Sequence, residues 1–410
     1  MSDQSILVIN SGSSSIKFAV IRLNSHETIV SGIAERLGSD DARIVIDPPK
    51  KGTDKPEKVI VHAPGCSYEQ AMDKVLAELS IMDLHPKRLL GIGHRVVHGG
   101  ESFRSSVIID DLVEDKIEAC AKLAPLHNPA NLQGIRFMRK LYPHLQQVAV
   151  FDTAFHQTLP PKAFLYAIPY SLYQEQAIRR YGFHGTSHRF VAEQAAKLLN
   201  KPLEECFLIS AHLGNGCSAT AIAQGQSVDT TMGLTPLEGL VMGTRSGDVD
   251  PGLLIHLATS CGYTIDELNR LLNKESGLQG LSGLSNDMRA LQEAAASGHE
   301  LAQLAIEIFC YRLAKAIGGL AVALPRIDAL IFTGGIGENS ALVRTKVLDQ
   351  LKILGFTLNE TANGENGRNT EGRISGESGP TALVVPTNEE LMIALDTANL
   401  ILKERDIERG

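Results

Sequence analysis

The sequence predicts an α/β protein built from two copies of one unit, and three observations carry that expectation. First, three glycine-rich turns each follow a run of strand-forming apolar residues: Ile6–Ile9 before Asn10-Ser11-Gly12-Ser13-Ser14-Ser15, Phe207–Ala211 before His212-Leu213-Gly214-Asn215-Gly216, and Leu330–Phe332 before Thr333-Gly334-Gly335-Ile336-Gly337-Glu338-Asn339. Bare backbone and small hydroxyl side chains can approach an anion closely and aim N–H groups at it. Three such turns suit a polyphosphate held from several sides. Second, the first two turns align, with Gly12 over Gly214 and Ser13 over Asn215 and strand-like segments matching on either side, as in an internal duplication. Third, 410 residues exceed one ordinary core, and an apolar content of 43% suffices for two.

Each element follows from its local pattern. Strands are expected at Ile6–Asn10 and Ile16–Arg22, joined as a hairpin, then at Glu27–Ala34, Arg43–Ile46 and Lys58–His62. Apolar residues at helical spacing predict a helix over Tyr68–Leu79. A buried strand, Gln147–Phe151, ends on Asp152. The second copy is expected as strands Phe207–Ala211, Cys217–Ala223 and Gln226–Thr231, a long helix Gly298–Leu320, strand Ala329–Thr333 and helix Ser340–Leu351. Asn359–Pro380, rich in Gly, Asn, Glu and Ser, reads as a loop or hairpin, and Asn388–Glu404 as a final helix. The expected division is 1–152 with 386–410 as a first lobe and 153–385 as a second, the final helix packing back on the first.

Composition narrows the function. A net charge of −8 argues against a general nucleic-acid surface. Six scattered cysteines without a CxxC pair fit a reducing compartment and give no zinc pattern. Met1–Gln4 lacks a basic region, and the longest apolar stretch, Ala316–Leu324, is far short of a membrane span. A soluble, cytoplasmic protein is expected.

There is no GxxxxGK[ST], no GxGxxG opening a helix, and none of the protein-kinase motifs. The phosphate turns are read instead as lying inside β-hairpins. That arrangement belongs to the actin-like (ribonuclease H-like) two-lobe fold, which holds its nucleotide in a cleft between the lobes.

Several charged residues then acquire two readings each. Lys17 follows the first turn and is either a phosphate ligand or a solvated strand lysine. Arg95, in Gly93-His94-Arg95-Val96-Val97-His98-Gly99-Gly100, and Arg245, in Gly243-Thr244-Arg245-Ser246-Gly247-Asp248-Val249-Asp250, are read as sitting in glycine-flanked loops. Their planar forks suit carboxylate or phosphoryl oxygens; the bland reading of Arg245 is a surface pair with Asp248 or Asp250. Asp152 closes a strand at the end where open α/β sheets bind ligands, or else caps a loop. Histidines recur at His127, His156, His184, His188 and His212; metal ligation is a rival reading, but no HxxxH or HExxH lies on a helix.

The runs Val8–Lys17, His94–Glu101, Ala124–Pro129, Phe151–His156, Phe183–His188, Met232–Pro251, Phe332–Asn339 and Pro386–Glu390 resemble the acetate kinases, essentially end to end. The resemblance implies membership of the acetate and sugar kinase, chaperone ATPase and actin superfamily. It also implies a homodimer and reversible transfer of phosphate from ATP to acetate, giving acetyl phosphate and ADP. The cofactor it implies is Mg²⁺, with Mn²⁺ able to substitute. By position it implies Asn10 and Glu389 for the metal, Lys17 for nucleotide phosphate, and Arg95, Asp152, His184 and Arg245 for catalysis. Arg95, Val97, Leu126, His127, Phe183 and Pro236 are implied for the acid. His212, Leu213, Gly214, Asn215 and Gly216, then Asp287, Met288 and Arg289, then Gly335, Ile336, Gly337, Glu338 and Asn339 are implied for the nucleotide.

A carboxylate nucleophile is already ionised at neutral pH, so positioning and charge cancellation, rather than a general base, are the expected sources of catalysis. Asp152 is therefore expected to hold Arg95 or a metal-bound water. Propionate kinases share nearly all these motifs, and one methylene is worth only about 1–3 kcal/mol in an apolar slot. The other open classes are a butyrate kinase, an actin- or chaperone-like ATPase, and a histidine-rich metal or redox protein.

Overall fold

A computed structural model of the chain describes residues 4–49, 57–82, 84 and 89–409. Met1–Asp3, part of the segment read as lacking a basic leader, lie outside the described residues.

The apolar runs form strands where side-chain alternation and burial favour them. β1 (Ser5–Ser11), β2 (Ser15–Arg22), β3 (Thr28–Glu35), β4 (Arg43–Asp47) and β5 (Val59–His62) make an antiparallel meander. β6 (Gly91–Val96) and β8 (Gln147–Phe151) add in parallel beyond β1, and β7 (Val107–Ile108) closes that edge. The sheet order is β5-β4-β3-β2-β1-β6-β8-β7. A second sheet comprises β9 (Phe207–Leu213), β10 (Cys217–Ala223), β11 (Gln226–Thr230), β12 (Ala329–Thr333) and β13 (Thr381–Val384), ordered β11-β10-β9-β12-β13.

The two orders repeat one plan. Three antiparallel strands, β3-β2-β1, are followed by two parallel ones, β6-β8, and β11-β10-β9 are followed by β12-β13 in the same sense. Each second strand even shifts register near its end, between Val20 and Ile21 and between Ala221 and Ile222. The chain divides into two compact units, Met1–Ala154 with Asn388–Gly410, and Phe155–Thr387.

In the first unit the helix Glu389–Arg409 lies against β6. Glycines in the strand make this approach possible. A Cβ at Gly93 would sit 2.5 Å from Thr397 Oγ1 and 2.6 Å from Ile393 Cγ2, and one at Gly91 would meet Ile401 Cδ1. Ile393, Thr397 and Ile401, four residues apart, are the buried stripe of that helix. In the second unit β9 and β12 are buried almost throughout, as expected of strands covered on both faces.

Three sequence readings change. The third glycine turn is not in a hairpin: β12 has parallel partners on both sides, so the chain leaves through a helical turn, Gly334–Asn339, and a helix, Ala341–Gln350. Arg95 lies not in a loop but on β6, which is paired on both sides. Asn359–Pro380 is neither plain loop nor hairpin, since Asn359 caps a short helix, Glu360–Gly364, before single bridges to Leu358 and Leu383.

Candidate active site

Strand registry assembles the site of the first unit. Asn10 and Lys17 are directly paired across the β1–β2 hairpin, so their side chains share one face of the sheet. Gly12 closes the turn between the strands by donating to Ser15 O at 2.7 Å. In β6, Arg95 follows His94, which is paired with Ile9; Asp152 directly follows β8 and donates its N–H to Val96 O at 3.0 Å. The carboxyl ends of β1, β6 and β8 thus bring three polar side chains together.

Arg95 grips Asp152 with two donors, Nε to Oδ1 at 3.0 Å and Nη2 to Oδ2 at 2.5 Å, while Nη1 donates to Asn10 Oδ1 at 3.4 Å. Asp152 is 3% exposed and Arg95 22%. Burial alone would lower the Arg95 pKa, but Asp152 and Glu389 reverse this and hold it above its ordinary value. Burial pushes the Glu389 carboxyl up to about 7, with Arg95 opposing and Asp152 and Glu390 adding repulsion. A carboxylate so placed gains from a nearby cation. With the amide oxygen of Asn10 it offers the hard oxygen donors that Mg²⁺ accepts.

Asn131, on the helix Asn128–Leu141, ties this end of the sheet together. Its Oδ1 accepts from Val97 N at 3.0 Å, and its Nδ2 donates to Ser11 O at 2.6 Å. One turn earlier, Asn128 makes two bonds to the His98 backbone. Val97 is buried and Leu126 exposed; His127 occupies the N-cap position of the helix.

In the second unit the β9–β10 turn closes through Gly214 N to Gly216 O at 3.0 Å. His184, preceding the helix Gly185–Leu198, has left-handed backbone, φ 57° and ψ 22°, uncommon for a residue with a Cβ. The buried Phe183 carbonyl just before it accepts from His156 Nε2 at 2.9 Å. His184 Nδ1 meets Ser218 Oγ at 2.9 Å, and its ring lies 4.3 Å from that of His212. A side chain at Gly216 would lie 3.5 Å from both His184 Nε2 and Arg245 Nη1, so these nitrogens converge over bare backbone.

Arg245 makes no ion pair among the described residues. Nη1 donates to Pro236 O at 3.1 Å, whereas Asp248 accepts from Gly239 N and Asp250 caps the helix Pro251–Ser260. Burial lowers the Arg245 pKa, with the Cys217 thiol opposing. A half-buried cation lacking a counter-ion is poised for an anion.

A cleft of about 460 Å³ is lined by Gly214, Asn215, Asp287, Met288, Arg289, Gly335, Ile336 and Asn339, together with Asn286, Gln292 and Ser340. It brings together most of the residues that the sequence assigns to a nucleotide. Leu213 instead lies flat against Gly334, Gly337 O accepts from the buried Arg344 at 2.7 Å, and Glu338 accepts from Gly334 N at 2.9 Å and Thr387 N at 3.1 Å.

The model of the Acetokinase family matches residues 5–395. The chain belongs to the acetokinase family. It is 54% identical to the acetate kinase of Chromobacterium violaceum, over 97% of this chain and 98% of that protein. Among solved structures it is similar to the acetate kinase of Porphyromonas gingivalis (40% identity, TM-score 0.91, covering 97% of this chain and 100% of that one). It is equally similar in fold to a propionate kinase from Francisella tularensis (46% identity, TM-score 0.91, the same coverage). The fold is that of the actin-like kinases.

Within this acetokinase, sequence reasoning missed Asn131, Ser218 and Arg344. Ser218 carried no signal beyond a polar residue among small strand residues, and Asn131 none beyond a polar residue in a helical segment. Arg344, wholly buried, is bound by Gly337 O, Asn363 and Asn366, which only the folded loops bring near.

Proposed function

We propose that the chain transfers the γ-phosphoryl group of ATP to acetate, reversibly, giving acetyl phosphate and ADP. The Arg95–Asp152 fork is the observation that carries this reading. Asp152 accepts from Arg95 with both oxygens, which supports a role in orienting that arginine. The remaining Nη hydrogens of Arg95 are available to a substrate oxygen.

The acetate carboxylate is the nucleophile. One of its oxygens forms a bond to the γ-phosphorus as the bond to the β,γ-bridging oxygen breaks, and that electron pair leaves on ADP. Arg245 and His184 stabilise the equatorial oxygens, Lys17 and the three glycine turns hold the phosphates, and Asn10 and Glu389 would hold Mg²⁺ or Mn²⁺. The metal, when bound, neutralises phosphate charge. Phe183, Pro236, Val97, Leu126 and His127 are assigned to the acid.

Propionate is the second reading, favoured by the Francisella tularensis likeness. A homodimer is also proposed, supported by exposed apolar residues of the second unit, among them Ile255, Ile265 and Tyr311. Cysteines free of disulfide pairing support a cytoplasmic setting; no helix among the described residues is long and apolar enough to cross a membrane. Comparing kcat/KM for acetate, propionate and butyrate tests the substrate: the highest value for acetate is expected, and a higher one for propionate would transfer the assignment.

A further inference from the structure

Behind His184 runs a chain of hydrogen bonds that the phosphoryl-transfer scheme does not use. Ser218 Oγ lies 2.9 Å from His184 Nδ1 and 2.8 Å from His188 Nε2. His188 Nδ1 in turn lies 2.6 Å from Ser210 Oγ. Ser210, Ser218 and His188 are fully buried, on β9, β10 and the Gly185–Leu198 helix. Burial holds the His188 pKa well below its ordinary value, so its ring is neutral, with one N–H and one lone pair.

The hydrogens of this chain can run continuously, each group donating to the next, in two senses. In one, Ser210 donates to His188 Nδ1, His188 donates from Nε2 to Ser218, and Ser218 donates to His184 Nδ1. Every hydroxyl hydrogen then has an acceptor. In the other sense His184 donates from Nδ1 to Ser218, Ser218 donates to His188 Nε2, and His188 donates from Nδ1 to Ser210. The hydroxyl hydrogen of Ser210 is then left with no acceptor side chain among the described residues, in a fully buried place where an unmet donor is costly.

We infer that Ser218 and His188 form a positioning relay that, in the neutral form of His184, keeps its proton on Nε2, the nitrogen that converges with Arg245 over Gly216. An N–H, rather than a lone pair, then faces the place assigned to the phosphoryl oxygens. The inference rests on that reading of His184. Ser218 and His188 touch no reacting atom; they act through His184, as outer partners set the tautomer of metal-bound histidines.

The test combines kinetics with ¹⁵N NMR of histidine-labelled protein. Ser218→Ala should lower kcat roughly 10–100-fold, the usual effect of losing an outer partner, with both KM values within about twofold. Ser218→Thr, which keeps the hydroxyl, should recover most of the loss. In the pair His184→Ala and His184→Ala/Ser218→Ala, the double variant should be no slower than the single one. The resonances that vanish in His184→Ala should show Nε2 protonation in the unsubstituted protein and a shift toward Nδ1 in Ser218→Ala. Nδ1 protonation in the unsubstituted protein, or an unchanged kcat in Ser218→Ala, overturns the relay. Full turnover in His184→Ala would instead overturn the reading of His184 itself, whatever its tautomer.

Discussion

Arg95 and Asp152 face each other as a two-point fork, with Nε 3.0 Å from Oδ1 and Nη2 2.5 Å from Oδ2, the carboxylate almost wholly buried. The geometry supports the proposal that Asp152 holds a cation and does not act as a base. Asp152→Asn keeps the shape but sets an amide NH₂ against Arg95 donors, and displacing the guanidinium by about 1 Å should cost roughly 10²-fold in turnover. The KM for acetate should rise with it. Lost turnover with unchanged acetate and Mg²⁺ dependence would favour a direct chemical role for Asp152.

Arg245 is held by the Pro236 carbonyl and by no carboxylate among the described residues. Arg245→Ala should lower kcat by about 10²–10³, the scale of losing one transition-state donor. Arg245→Lys should recover little, since a point charge cannot replace the fork. Steady-state kinetics decides, and full activity in Arg245→Lys would sink the fork argument.

Gly93 lets the Glu389–Arg409 helix touch β6. In Gly93→Ala the new Cβ would meet Thr397 and Ile393, an overpacking that should cost about 1–3 kcal/mol. The helix must shift, and Glu389 begins it, so the Mg²⁺ concentration for half-maximal rate should rise. Thermal unfolding and a Mg²⁺ titration check both effects; an unchanged melting temperature would contradict the packing.

Buried histidines set the acid limit of stability. Burial lowers His94, His98 and His156 to about 4, and His188 well below its ordinary value. The unfolded chain binds those protons near pH 6.5, so the stability they contribute is complete above 6.5 and is lost as pH falls toward 4. At pH 5.5 the loss should be about 1.4 kcal/mol per histidine. Urea unfolding at pH 7.5 and 5.5 reads the difference; equal midpoints would contradict it.

Strands and turns were legible because their signals are local: runs of strand-forming residues marked β1, β2, β9 and β10, and the glycines between them marked both hairpin turns. The duplicated order β3-β2-β1-β6-β8 and β11-β10-β9-β12-β13 could be suspected from two aligned turns, but only pairing directions establish it. The third turn was misassigned because a parallel partner for β12 on each side is a tertiary fact. Arg95 looked like a loop residue since Gly93, Gly99 and Gly100 bracket it, whereas Gly93 lies in β6, where its small size serves helix packing. Asn10, Arg95, Asp152, His184 and Arg245 stood out through motifs. Ser218, Asn131 and Arg344 did not, because only the folded chain brings their partners near.

The most direct measurement is Mg²⁺-dependent ADP formation from ATP with and without acetate, trapping acyl phosphate with hydroxylamine. Acetate-dependent turnover with stoichiometric hydroxamate, and almost none without acid, is the expected result. ATP hydrolysis indifferent to acetate, with no hydroxamate, would contradict the carboxylate kinase and make the two arginines parts of an ATPase.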